Sequence, residues 1–140
     1  MPTFKTTLEE LNSLNPNTLG GNLGIEFTEI GDNYLKAKMP VDHRTVQPYG
    51  ILHGGASVVL AETIGSVASQ IAVGMDRPCV GVEINANHLK SVSTGYVHAT
   101  AKPSRMGKNI HVWNIEILDD HQHLICVSRL TVLVKPKTTS

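Results

Sequence analysis

Between Arg44 and Asp76 lie 31 residues that carry a single formal charge, Glu62. No other feature constrains the fold of this chain so tightly. Residues 56–73 within the stretch lack proline and are rich in alanine, which predicts a helix of ~27 Å at 1.5 Å per residue. Its apolar side chains (Val58, Val59, Leu60, Ile64, Val67, Ala68 and Ile71) run nearly all the way round. A helix of this kind is covered on most sides rather than lying half exposed on a surface. Glu62 and several Ser and Thr residues disfavour a lipid cover, so no membrane span is expected. The cover must come from the rest of the chain.

That remainder reads largely as strands. Residues 34–40 alternate, with Leu35, Ala37 and Met39 on one face and Lys36 and Lys38 on the other. A weaker strand over residues 23–30 precedes them, joined by the turn Gly31-Asp32-Asn33. Four further runs are expected at residues 80–89, 95–102, 110–118 and 124–134. Their connections are short turns, which antiparallel pairing tolerates and parallel pairing does not. Near the N-terminus, Thr7 and Glu10 have capping-box spacing, and Leu8, Leu11 and Leu14 suit a short helix that Asn15-Pro16-Asn17 and Gly20-Gly21 end. The expected class is α+β: a curved antiparallel sheet wrapped around one long central helix, with a short N-terminal helix.

A chain of 140 residues fits one domain, and no linker or repeat divides residues 1–140. Twelve Lys and Arg balance twelve Asp and Glu, which argues against a nucleic-acid binder. Two cysteines, Cys79 and Cys126, are too few for a disulfide scaffold. The opening MPTFKTTLEELN has no apolar run of the signal-peptide kind. The expectation is a soluble protein in the reducing cytoplasm.

Glu62 raises the question of chemistry. Burying a carboxylate without a partner costs several kcal/mol, and no cation stands three or four residues away on the helix. A Lys or Arg from a strand could answer the charge in a purely structural pair. Helical spacing, however, sets Gly55, Glu62, Ser66 and Ser69 on one face, a small and polar stripe in an apolar cylinder. At the helix start, His53-Gly54-Gly55 combines unpaired N–H groups, partial positive charge and side chains small enough for close approach. Such a terminus suits an oxyanion hole, although a tight loop with satisfied caps is its plainer explanation.

Gly54 and Glu62 are eight residues apart, about 12 Å along a helix. A Glu side chain cannot close that gap to serve one reacting carbonyl. If both groups act together they come from different subunits, with their helices antiparallel in a two-fold dimer.

The run QPYGILHGGASVVLAETIGS from Gln47 to Ser66, with GVEINANH from Gly81 to His88, resembles the hotdog-fold acyl-CoA thioesterases, aryl-CoA branch. The likeness covers nearly the whole chain, including MPVDHRT from Met39 and SRLT from Ser128. The resemblance implies a sheet wrapped round the helix, dimers that pair into homotetramers, and hydrolysis of acyl-CoA or acyl-carrier-protein thioesters. It implies Glu62 as nucleophile or base, Gln47 and His53 at the thioester carbonyl, Gly54 N–H as oxyanion donor, and Ser66 placing water or the carboxylate. His88 would sit by the acyl pocket or pantetheine arm, and Tyr49 and Val67 would shape the acyl pocket. A thiol of pKa ~8.5 leaves readily near neutral pH, so neither metal nor redox cofactor is required.

Net neutrality conceals a local bias. No Asp or Glu occurs from Ile84 to Ile115, whereas Lys90, Lys102, Arg105 and Lys108 do. Lys90, Arg105 and Lys108, with Gly107, are therefore candidates for holding the phosphates of a nucleotide tail. The seven histidines offer no helical zinc-binding pair, and no serine lies in a strand–elbow context. Two alternatives stay open: a hotdog hydratase or dehydratase using His43 with Glu62, and a non-catalytic acyl-CoA-binding module.

Overall fold

The computed structural model describes residues 5–137. In chain order its elements are α1 (Leu8–Ser13), α2 (Leu19–Asn22), β1 (Glu26–Ile30), β2 (Leu35–Pro40), α3 (Gly54–Val73), β3 (Cys79–His88), β4 (Tyr96–Met106), β5 (Ile110–Asp119) and β6 (Leu124–Val134). The six strands form one sheet in the order β1-β2-β4-β5-β6-β3, every pairing antiparallel. The helix α3 follows β2 and carries the chain across the sheet, so that β3 lands at the far edge beside β6.

Alternation in the strands becomes the inner face. Leu35, Ala37 and Met39 of β2, Val97, Ala99 and Ala101 of β4, and Trp113, Ile115 and Ile117 of β5 are all buried. They meet Leu60, Ala61, Ile64, Ala68 and Ile71 of α3. Ala37 and Ala99 stand opposite each other in register, leaving room for the helix over the middle of the sheet. Each large aliphatic side chain so buried contributes about 1.5–3 kcal/mol.

Three boundaries differ from the expectation. Gly20-Gly21 does not simply end a helix but forms the short α2, so β1 starts at Glu26 rather than residue 23. The Thr18 side chain caps α2 by accepting the Gly21 N–H, and tertiary contact outweighs the low helix propensity of glycine. β4 runs on through Pro103 to Met106, because a register shift between Pro103 and Arg105 absorbs the missing N–H. The central helix begins at Gly54, with His53 as its N-cap.

The two sheet edges are treated differently. Along β1, Asn12 of α1 accepts the Phe27 N–H at 2.8 Å and donates to the Phe27 carbonyl at 3.1 Å. Asn15 donates to the Ile25 carbonyl at 2.8 Å. These amides imitate a neighbouring strand. Along β3 side chains meet the backbone only at Cys79, whose N–H donates to Gln70 Oε1, and at Asn85, whose carbonyl accepts from Ser128, and Val80 and Val82 between them are 38% and 55% exposed. The alternation of Val80, Val82, Ile84 and Ala86 is real, but half of that apolar face is uncovered.

Candidate active site

The chain from Thr45 to His53 doubles back on itself before the helix begins. Val46 bridges Leu52, His53 N–H reaches the Thr45 carbonyl, and Gly50, at φ +79°, turns the loop so that its N–H meets the Gln47 carbonyl. The Gln47 side-chain oxygen accepts the Tyr49 N–H, leaving the Gln47 amide NH2 as a donor. At the helix start, His53 Nδ1 accepts the Gly55 N–H at 2.8 Å. A neutral ring that accepts at Nδ1 carries its proton on Nε2, so His53 presents an N–H outward. Among the described residues no acceptor meets the Gly54 N–H. Gln47 and Gly54 thus bring free donors to one cleft, whereas His53, which is exposed, does not line it.

A cleft of about 370 Å³ holds Gln47, Gly54, His88 and Lys90 together. The His88 ring lies directly against Gly54: a Cβ on Gly54 would stand 2.7 Å from His88 Nε2. Only glycine leaves space for both the ring and the approach of a ligand oxygen.

Glu62 lines a separate cavity of about 290 Å³ with Leu19, Val59, Thr63 and Ser66. It is half-buried and forms no ion pair among the described residues, so the structural pairing considered above is not made within the chain. Its carboxylate lies against β3, where a Cβ on Gly81 would come within 2.6 Å of Oε2. Gly81 therefore borders the Glu62 carboxylate, a neighbour that the sequence reading missed. The signal was present, since an isolated glycine in a strand pattern marks close approach.

The other expected residues are spread more widely. Ser66 shares the Glu62 cavity, but Ser69 does not belong to the polar stripe assigned to it. It is fully buried, accepts the Trp113 Nε1–H at 2.7 Å and stands 2.8 Å from His111 Nδ1. Burial, with the Arg77 charge beside it, pushes the His111 pKa down against the Gly107 backbone, which favours a proton on the ring. Val67 lines a different cavity of about 320 Å³, with Leu11, Leu14 and Ile71. Tyr49 is 90% exposed. His43 lies by Asp42 and does not line the Glu62 cavity.

The candidate phosphate ligands divide between the two ends of the sheet. Lys90 follows β3 at the Gly54 end, 3.4 Å from the buried carboxylate of Asp119. Arg105, Gly107 and Lys108 surround the β4–β5 turn, which register places beside the beginning of β3. Ten residues of β3 separate the two ends by about 33 Å. They form no common patch within one chain.

The sequence and the fold of the chain match those of known proteins. Residues 49–126 match the Thioesterase superfamily. The chain is 51% identical over 130 residues to the 1,4-dihydroxy-2-naphthoyl-CoA hydrolase of Escherichia coli K12, covering 93% of this chain and 96% of that one. A thioesterase of Haemophilus influenzae has the same structure at a TM-score of 0.93 and 50% identity, covering 95% of this chain and 93% of that one. A Staphylococcus aureus thioesterase agrees at a TM-score of 0.82 and 39% identity, over 85% of this chain and 99% of that one. Structures of it carry alanine in place of a glutamate and, separately, a glutamine. The chain belongs to the Thioesterase superfamily: it has the hotdog fold and is a thioester hydrolase.

Proposed function

We propose that this thioesterase cleaves acyl-CoA, or the equivalent acyl-carrier-protein thioester, at a site shared between two copies of the chain, and that aromatic acyl groups suit it. The observation that carries the reading is the division of α3 into an end with free donors and a lone carboxylate about 12 Å along the same helix. One thioester cannot touch both. Two copies joined through their bare β3 edges, strands antiparallel, set the Gly54 end of one against the Glu62 region of the other. The same arrangement brings Lys90 of one copy to the end where Arg105, Gly107 and Lys108 of the other lie, around the nucleotide tail of CoA.

In this site the carbonyl oxygen lies at the Gly54 N–H, with the Gln47 amide and His53 Nε2–H beside it. Glu62 of the second copy attacks the carbonyl carbon or removes a proton from water, with Ser66 placing either. The donors stabilise the oxyanion, and collapse expels the thiolate. Tyr49 and His88 border the acyl group and the pantetheine arm, whereas Val67, in its separate cavity, has no part in this site. Two comparisons support the reading. The E. coli relative is named for an aromatic acyl-CoA, and the glutamine and glutamate replaced in the S. aureus protein are fifteen positions apart, as Gln47 and Glu62 are. The reading also places the enzyme in the cytoplasm, with its dimers paired into homotetramers.

The test is thiol release over a panel of benzoyl-, naphthoyl-, phenylacetyl- and medium-chain acyl-CoA. Glu62→Ala should lower kcat by roughly 100-fold or more. Gln47→Ala and Glu62→Ala chains, unfolded together and reassembled, should recover about a quarter of wild-type activity, since a mixed dimer holds one intact site. No recovery would show that the two residues serve separate sites. A hydratase would alter the acyl chain and release no thiol.

A further inference from the structure

We propose that Leu19 is a wall of the acyl pocket and a determinant of which acyl groups reach Glu62, an inference that rests on the role proposed for Glu62. Leu19 is 59% exposed, yet lines the cavity that contains the carboxylate. Val59 supplies a second apolar wall, while Glu62, Thr63 and Ser66 form the polar side. An apolar group would lie against Leu19 and Val59 with its reacting end turned to the carboxylate.

The segment that presents this leucine is built to stay in place. Four residues cannot hold a helix by their own propensity, so the constraints on α2 come from its surroundings. Thr18 donates to the Asn15 carbonyl at 2.6 Å while accepting the Gly21 N–H at 3.1 Å. The Gly20 carbonyl accepts the Ile25 N–H at 2.9 Å. Gly20 is buried against Ile25 and Thr63, where a Cβ would make ordinary contact at 3.7 and 3.8 Å with their side chains. A Cβ on Gly21 would collide with the Asn15 carbonyl oxygen at 2.0 Å. The close approach at Gly21 and the Thr18 and Ile25 hydrogen bonds thus seat α2 on its neighbours, and Leu19 projects beside Glu62 from a fixed turn. An exposed leucine on a free loop would have no defined relation to the cavity. Here its position is determined from several sides, as a specificity wall requires.

The experiment compares kcat/KM for 2-naphthoyl-CoA and butyryl-CoA in wild type, Leu19→Trp and Leu19→Ala, with the oligomeric mass of each measured by sedimentation. Leu19→Trp narrows the cavity and should lower the naphthoyl-to-butyryl ratio roughly tenfold. Leu19→Ala removes an apolar contact that the larger acyl group uses more, and should lower the ratio by a smaller factor. An equal change in both substrates, or loss of assembly in either variant, would overturn the proposal and make Leu19 a subunit contact. Glu62→Ala is measured alongside. If it keeps full activity, the role of Glu62 fails; if it is inactive while the Leu19 ratios stay fixed, only the role of Leu19 fails.

Discussion

Replacing Ser69 with alanine tests the packing argument where it is most exposed to failure. Trp113 Nε1–H can only donate, so Ser69 Oγ accepts from it; the other nitrogen of the neutral His111 ring donates to the Gly107 backbone, which leaves Nδ1 to accept the Ser69 proton. All three side chains are buried. Ser69→Ala deletes one oxygen and strands both a donor and an acceptor where water does not reach. Each stranded group costs about 1–3 kcal/mol, and two cost roughly 3 kcal/mol or more, against a typical domain stability of about 5–15 kcal/mol. Near this chain length that loss lowers Tm by about 10 °C. The chain has a single tryptophan, so Trp113 emission reports unfolding and the relay together. Urea and thermal melts at matched protein concentration, with the half-buried Ser66→Ala as a comparison, measure the difference. A Ser69→Ala loss below about 1 kcal/mol would refute the relay. The relay also has a sign with pH. The folded pKa of His111 is depressed, so its contribution is whole above the unfolded value of 6.5 and is lost as pH falls from there through the lower folded value. The urea midpoint should drop as pH falls below 6.5, and His111→Asn should lack that drop.

Other perturbations address the site and its supports. Gly81→Ala places a methyl group 2.6 Å from Glu62 Oε2, which must swing away; kcat should fall about tenfold while Tm moves by only a few degrees, and an unchanged kcat would separate Gly81 from the site. Asn12→Ala frees the Phe27 N–H and carbonyl at the sheet edge; it should cost about 1–2 kcal/mol in urea melts and raise light scattering on storage. Burial pushes the Asp119 pKa up, but the His123 N–H and ring and the His121 N–H outweigh it and hold the carboxyl well below its ordinary 3.8. Its contribution is therefore present above that value and lost as pH falls below it, so acid unfolding of Asp119→Asn, followed by circular dichroism, should be shallower than that of wild type.

What the sequence discloses here follows the range of each interaction. The alternation in β2 and β5 is local, and Leu35, Ala37, Met39, Ile115 and Ile117 all face the core as their spacing predicts. Gly54, His53 and Gln47 are legible for the same reason, because the helix start that organises them is continuous in sequence. Ser66 and Ser69 are three residues apart on one helix, and no local rule says which of them the sheet covers. Lys90 and Lys108 belong to one acid-free stretch, but strand direction sends them to opposite ends of β3. Gly20-Gly21 reads as a stop by propensity, and contact with Thr63 and Ile25 turns it into a platform.

The fold is otherwise thorough in answering its polar groups, which gives weight to the places where it does not. Among the described residues no buried side-chain nitrogen or oxygen lacks a hydrogen bond. One sheet edge is closed by asparagine amides at three backbone groups. Against that standard, the unmet Gly54 N–H, the unpaired Glu62 and the bare strand edge with its exposed valines are departures, and all three lie on one side of the molecule along α3 and β3. Local rules are broken most often where a protein is completed by something outside its own chain. A donor without an acceptor calls for an anion, a carboxylate without a cation for an electrophile or a water proton, and an open edge for another strand. In the reading proposed above, a thioester whose carbonyl becomes an oxyanion under attack would supply the first two together, and a second copy of the chain would supply the third while bringing them within reach of one another.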